Sequence, residues 1–136
     1  MIRFLILFFY YYMPVVLYLL FVFFLSSLSL SPPNILILNS DKTLHILEYT
    51  ILGFLFMRAY LNTAGKEHKI RGVFTTTFFA FLFGCSDEYH QLYVPDRVVS
   101  VGDIIADTVG GFIGSIFYII VLYILLRRER KNVKTN

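Results

Sequence analysis

Cysteine and charged residues are scarce in this chain, and their scarcity excludes several classes of protein. The single cysteine, Cys85, rules out an intramolecular disulfide framework and every metal motif built from several cysteines. Charged residues make up only 15% of the 136 residues, whereas hydrophobic residues make up 57%. Because a globule this small needs a polar shell around its core, this composition excludes an ordinary soluble domain and indicates a membrane protein.

The longest stretch without charge lies between Arg3 and Asp41. It is too long for the core of a signal peptide and lacks a small-x-small cleavage site. The stretch is therefore predicted to contain a first membrane helix that stays in the protein. Pro14 lies near the start of that helix or kinks it, and the segment 31–34 ends it.

The whole pattern predicts an all-α membrane protein, a bundle of four transmembrane helices with both termini in the cytoplasm. A helical span needs about 20 apolar residues, so a chain of this length holds roughly four spans and no further domain. The predicted single domain covers residues 1–136, with spans at 10–30, 42–61, 72–89 and 103–126 and a basic cytoplasmic tail at 127–136.

The orientation follows from the basic residues, because basic loops stay in the cytoplasm. If the spans alternate, only Lys42 and Arg97 lie on the outer side, and ten basic residues lie on the inner side: Arg3, Arg58, Lys66, Lys69, Arg71, Arg127, Arg128, Arg130, Lys131 and Lys134. Of the acidic residues, only Glu67 and Glu129 lie on the inner side. The basic excess therefore reflects topology, and it does not require a nucleic-acid partner.

A polar stripe runs along the predicted second helix. Asp41, His45 and Glu48 are spaced i, i+4 and i+7, which places them on one face, with Tyr49 beside them. Glu48 lies roughly 10 Å along the helix from Asp41. An unpartnered carboxylate at that depth is costly, so Glu48 is predicted to be paired or protonated.

The third helix ends in a dense group of ionisable residues. Asp87 precedes His90 by three residues and Gln91 by four, so the three share a face if the helix persists, and Glu88 points to a neighbouring face. Arg97 follows in the next loop. Its planar guanidinium suits a lipid phosphate or a carboxylate, or it neutralises the acids nearby.

The fourth helix begins with two acids and continues with glycines. Asp103 and Asp107 are one turn apart, and Asp103 is predicted to cap the positive end of the helix. Gly110, Gly111 and Gly114 follow on a nearby face, where they let another helix approach closely.

These groups are predicted to meet in one outward-facing pocket, because a charge at the centre of the membrane costs about 2.5 to 3.5 kcal/mol unless it finds a partner. The candidate catalytic residues are His45, Glu48, Asp87, Glu88 and His90. The candidate substrate-binding residues are Asp41, Lys42, Tyr49, Gln91, Arg97, Asp103 and Asp107. Either histidine could serve as general base, Glu48, Asp87 or Glu88 as acid or metal ligand, and Arg97 as a phosphate clamp.

At these residues the sequence resembles the VanZ-like family, over roughly residues 41–114. Three ordered motifs carry the resemblance: Asp41-Lys42 with His45 and Tyr49, then Asp87-Glu88 with His90-Gln91, then Pro95, Arg97 and Asp103, followed by Gly110. Two positions depart from the family pattern. Asp96 stands where the family often has glycine, and Asp107 stands where it often has asparagine.

The resemblance implies a multi-pass protein of the bacterial cytoplasmic (inner) membrane, in a cell-envelope family named for a member that lowers susceptibility to the glycopeptide antibiotic teicoplanin. The expected partners are membrane lipids and a lipid-linked envelope precursor or a glycopeptide. The residues leave three functions open: an enzyme acting on such a lipid, a non-catalytic binding or accessory protein, and a proton or cation pathway, which the acid-free inner halves disfavour. No HExxH, P-loop, GxSxG or CxxC motif names an enzyme class, and the mixed His and carboxylate groups permit a divalent metal without requiring one.

The orientation yields a first testable prediction. In a Cys85→Ser background, a cysteine replacing Lys66 is expected to stay unlabelled when intact cells are treated with a membrane-impermeant thiol reagent, because the loop at residues 62–71 lies inside. A cysteine replacing Asp96, in the loop at the other end, is expected to label. Labelling of a cysteine at position 66 from outside the cell would show that the orientation is the opposite of the one proposed.

Overall fold

The computed structural model describes residues 2–28 and 38–135, and the chain in these two ranges folds into four helices without a strand. The helices are α1 (Ile2–Ser26), α2 (Leu38–Ala64), α3 (Lys69–Gln91) and α4 (Val101–Thr135). The predicted all-α bundle is thereby confirmed.

Three of the helices are long and apolar enough to cross a membrane, over Leu5–Ser26, Lys42–Ala64 and Val101–Val133. Helix α3 has 23 residues but is less apolar, because three threonines at 75–77 interrupt its first half and two acids lie near its end. Large apolar side chains cover the outside of the bundle. Phe9 and Phe24 in α1, for example, are 58% and 60% exposed, as expected for surfaces that face lipid.

The helices extend beyond the predicted spans. Helix α1 begins at Ile2, so Pro14 lies inside it, while the predicted end of the first span at residues 30–34 lies outside the described residues. Helix α4 runs through the basic tail to Thr135 and has 35 residues. At 1.5 Å per residue it is about 52 Å long, well beyond the hydrocarbon thickness of about 30 Å, so the tail continues the helix out of the membrane.

Helix α2 packs more extensively against α4 than against any other helix, and glycines make this approach possible. A Cβ atom added to Gly110 would lie 2.6 Å from the carbonyl oxygen of Ile46, and one added to Gly114 would overlap the carbonyl oxygen of Thr50. Gly111 faces Ala80 of α3 in the same way. The prediction that these glycines admit a neighbouring helix is therefore confirmed.

The end of the bundle formed by the end of α2 and the start of α1 is closed by local hydrogen bonds. Asn62 donates from Nδ2 to the carbonyl oxygen of Arg58 at 2.7 Å and to the hydroxyl of Tyr118 at 2.9 Å. The hydroxyls of Tyr12 and Thr63 lie 3.3 Å apart. These polar groups satisfy one another, and each contact links neighbouring turns or helices.

The glycine contact predicts a loss of stability on substitution. Gly114→Ala places a methyl group against backbone that cannot move aside, so we expect a loss of about 1 to 3 kcal/mol despite the higher helix propensity of alanine. Gly102→Ala serves as the control, since its Cβ would meet no backbone atom of another helix, only the flexible end of Lys42 and the hydroxyl of Ser100. Thermal unfolding in detergent should separate the two variants, and equal midpoints would contradict the packing argument.

Candidate functional site

The ends of α1 and α3 meet the starts of α2 and α4 at one end of the bundle. Gln91 of α3 donates from Nε2 to Oγ of Ser26 in α1 at 3.2 Å. Lys42 of α2 lies 3.1 Å from Oδ1 of Asp103 in α4. This antiparallel arrangement brings the polar residues of three helices to the same place, and α1 closes the group on one side.

His45 and Asp107 form a buried pair between α2 and α4. Nδ1 of His45 lies 2.9 Å from Oδ1 of Asp107, and the Asp107 side chain is fully buried. Because an ionised carboxylate only accepts hydrogen bonds, the ring donates its Nδ1–H, and Nε2 becomes the basic nitrogen. Gly84 of α3 leaves room for the pair, since a Cβ at that position would lie 2.7 Å from Oδ2 of Asp107.

Glu88 and Asp103 lie beside His45. Oε2 of Glu88 accepts a hydrogen bond from the backbone N–H of Ser100 at 2.7 Å. One potential ligand atom from each of His45, Glu88 and Asp103 lies within 4.8 Å of the others, and all three residues are buried. A nitrogen and two carboxylates thus converge from three different helices.

Asp87 is held in place by its own helix. Gln91, one turn further along α3, donates from Nε2 to Oδ2 of Asp87 at 3.0 Å as well as to Ser26. Both α3 residues are buried, at 2% and 3% exposure. The amide therefore connects the carboxylate of α3 to the hydroxyl of α1.

A cavity of about 180 Å³ adjoins these residues. Its wall combines polar and apolar side chains, namely Val22, Leu25, Ser26, Leu44, His45, Glu48, Asp87, Gln91 and Arg97. A pocket with an apolar side and convergent polar groups suits a ligand that has both characters.

Arg97 reaches the cavity from the loop between α3 and α4. Nη2 of its guanidinium donates to the carbonyl oxygen of Leu25 at 3.4 Å. Its buried Nε has no hydrogen-bond partner within the described part of the chain. The preceding residue, Asp96, has a φ of 63°. Glycine adopts this left-handed conformation most easily, and aspartate tolerates it better than most residues do.

The remaining predicted residues occupy different positions. His90 packs on the ring of Phe23, with centroids 4.2 Å apart, and its Nε2 lies 3.0 Å from Oγ of Ser27, so it faces α1 and does not line the cavity. Tyr49 is fully buried. The Asp41 side chain lies outside the described residues. The roles assigned to these three residues stay predictions.

The sequence reasoning missed the apolar residues of the cavity wall, and it also missed three residues that contact the polar groups: Ser26, Gly84 and Ser100. Ser100 alone carried a signal, because Ser100 and Asp103 have the spacing of a helix-capping motif. Its Oγ accepts from the N–H of Gly102 at 3.1 Å, as expected at the start of α4. Nothing in the spacing marks Ser26 or Gly84, whose contacts cross between helices.

The buried pair predicts a strong effect of removing one partner. Asp107→Ala leaves the Nδ1–H of His45 without its acceptor in a buried position, and we expect a loss of about 1 to 3 kcal/mol in the free energy of unfolding. Glu129→Ala, at an exposed position of the same helix, is expected to change stability by less than about 0.5 kcal/mol. Unfolding in mixed micelles measures both variants. An effect of Asp107→Ala as small as that of Glu129→Ala would contradict the hydrogen bond between His45 and Asp107.

Comparison with known proteins identifies the family. Residues 9–124 match the family described as VanZ/LLP1, in agreement with the three sequence motifs. No curated protein and no solved structure gives a significant match. Because the family match covers most of the 136 residues, the chain belongs to the VanZ/LLP1 family.

Proposed function

We propose that this protein is a lipid phosphatase of the bacterial inner membrane, acting from the outer side on the phosphate head group of an envelope lipid or lipid-linked wall precursor. One observation carries the proposal. The buried His45–Asp107 pair adjoins a cavity that has a guanidinium on its polar wall and aliphatic side chains on its apolar wall. A base, an anion-binding group and a place for a lipid chain are thereby adjacent.

The guanidinium of Arg97 is the proposed phosphate-binding group. Its planar fork matches two phosphate oxygens, and the unpartnered Nε offers a donor for one of them. The carbonyl of Leu25 orients the other side of the fork. Lys42, 3.1 Å from Asp103, adds a second positive charge at the same end of the bundle.

His45 is the proposed general base. Asp107 fixes the ring through Nδ1, as the orienting carboxylate of a catalytic triad does, so that Nε2 can accept a proton from water. The oxygen of this water bonds to phosphorus and the bond from phosphorus to the lipid oxygen breaks. The proton held by His45 then passes to the leaving oxygen, which yields a lipid alcohol and, from a lipid phosphomonoester, inorganic phosphate.

The apolar wall favours a lipid over a soluble phosphate ester. Val22, Leu25 and Leu44 line the cavity together with the ionisable groups, and Leu44 is 54% exposed on the outside of the bundle. An acyl or prenyl chain can therefore remain in the membrane while its head group enters the polar part. Hydrolysis of a wall precursor on the outer side would also account for the family's association with tolerance to teicoplanin.

The same cavity supports a second function, the binding of such a lipid without turnover, since most of its contacts serve either role. A proton or cation pathway has less support. Between Glu48 and the end of α2, between the start of α3 and Asp87, and between Asp107 and Glu129 in α4, the helices contain no acid. A proton relay through the inner half of the membrane would therefore have no acidic side chains to carry the proton.

Phosphate release tests the proposal. The purified protein in mixed micelles is expected to release phosphate from at least one phosphate-bearing envelope lipid. His45→Ala should reduce the rate by about 10²-fold or more, as the loss of a general base does. Arg97→Ala should mainly raise the KM, and Glu88→Ala should reduce the rate.

Glu67→Gln is the matched control, because Glu67 is an exposed acid next to a histidine at another part of the fold. It should retain the parental rate. If the parent retains lipid without releasing phosphate, and Arg97→Ala no longer retains it, the protein binds the lipid and does not hydrolyse it. Neither retention nor release from any tested lipid would reject both functions.

A further inference from the structure

The convergence of His45, Glu88 and Asp103 has the composition of a metal site. Potential ligand atoms of the three residues lie within 4.8 Å of one another, and the residues are 7%, 2% and 4% exposed. Ligands about 2.0 Å from a tetrahedral zinc ion lie about 3.3 Å apart, so the three side chains would move inward around a bound ion, and water or substrate would take its fourth position. The three residues come from α2, α3 and α4, and the approach does not depend on one flexible loop.

We propose that His45, Glu88 and Asp103 bind a divalent transition-metal cation, zinc or manganese. The proposal goes beyond the phosphatase reaction, because a cation can bind here whether or not the protein turns over a lipid. A cation on Nε2 of His45 would take the lone pair that the phosphatase reaction assigns to the general base, so with metal bound the cation would activate the water in place of the imidazole.

The carboxylate of Glu88 provides an independent indication. Its Oε2 accepts from the N–H of Ser100, whereas its buried Oε1 has no hydrogen-bond partner among the described residues. A buried carboxylate oxygen without a partner loses the solvation it has in water and gains nothing in return. A cation held between Glu88 and its two neighbours would supply the missing partner.

The hydrogen bond between His45 and Asp107 sets the ring in the form that a metal needs. With Nδ1–H donated to the carboxylate, Nε2 carries the lone pair that binds a cation. Histidine ligands in metalloproteins commonly donate their second N–H to a carboxylate in this way, and that contact fixes the ring and strengthens the ligand. Asp107 is thus a positioning residue for the proposed site.

Carboxylates outnumber basic side chains at this end of the bundle, and this excess of negative charge favours the binding of a cation. Four buried carboxylates, those of Asp87, Glu88, Asp103 and Asp107, gather with the half-buried Glu48 at this end of the bundle. Among the described residues, only Lys42 and Arg97 bring permanent positive charge to the same group. An excess of buried anions is unfavourable in a membrane, and a divalent cation offsets two charges at once.

Lys42 does not preclude this occupancy. Its amine contacts Oδ1 of Asp103 and its side chain is 44% exposed, so it approaches the carboxylate from the outside of the bundle. The second carboxylate oxygen of Asp103 is therefore the proposed ligand atom. In the absence of a metal, the amine of Lys42 partly neutralises the cluster.

The ligand types select the metal. One imidazole with two carboxylates suits zinc or manganese better than copper(I), which prefers sulfur, and better than calcium, which takes six or more oxygen ligands. A cation of this class lowers the pKa of a bound water and polarises a phosphoryl oxygen.

Metal content of the full-length protein tests the proposal. The detergent-solubilised protein is stripped with a chelator, dialysed against Zn²⁺ or Mn²⁺, and measured by mass spectrometry of the metal and by calorimetry. We expect one ion per chain in the parent and at least a tenfold loss of affinity in Glu88→Gln and Asp103→Asn. Asp107→Asn should weaken binding by about 10- to 100-fold, as loss of an orienting contact does.

Two controls keep the result interpretable. Glu67→Gln alters an exposed carboxylate 3.5 Å from His68, so it should bind as the parent does unless the metal is held adventitiously at the surface. Glu88→His replaces one ligand by another, so it should keep Co²⁺ bound with a shifted visible spectrum even if Glu88→Gln fails to fold. No ion in the parent, or equal affinity in a folded Glu88→Gln, would overturn the proposal.

The lipid assay and the metal assay can fail separately. Stoichiometric metal without phosphate release would leave the cation site standing and reject the phosphatase. Phosphate release by a parent protein that takes up no ion on dialysis against Zn²⁺ or Mn²⁺ would leave the phosphatase and reject the cation site.

Discussion

A carboxylate inside a membrane bundle needs a partner, and the contact between Asp107 and His45 is the one on which this arrangement depends. The two side chains meet at 2.9 Å because α2 and α4 lie unusually close. That closeness comes from Gly110 and Gly114, where any side chain would strike the backbone of α2. The glycines of the apolar interior thus determine whether the polar pair at the end of the bundle can form.

The other helices complete the group from two directions. Helix α3 contributes Glu88 and Asp87, and α1 contributes Ser26 through the amide of Gln91. Each acid is held by a contact of a different kind: a backbone N–H, a side-chain amide, an imidazole or an amine. An acid pinned in this way stays close to its neighbours although like charges repel, which is the condition for a reactive or cation-binding cluster.

Much of this organisation could be predicted from the sequence. Helical spacing predicted that His45 and Glu48 share one face of α2. The free-energy cost of an unpaired charge in lipid predicted that the acids of α3 and α4 contact polar groups of other helices. Spacing could not choose between His45 and His90. That choice depends on which side of α3 faces α1, where the ring of Phe23 takes up His90. Nor could spacing reveal that Gly84 stands opposite Asp107, because the register between two helices is set by packing along their whole length.

The absence of a side chain at Gly84 limits which residues fit at position 107. The carboxylate of Asp107 occupies the volume that a side chain on α3 would fill, with Oδ2 only 2.7 Å from the site of the missing Cβ. An asparagine at 107 has nearly the same shape and is compatible with glycine at 84. A side chain at position 84 therefore requires a smaller residue at position 107.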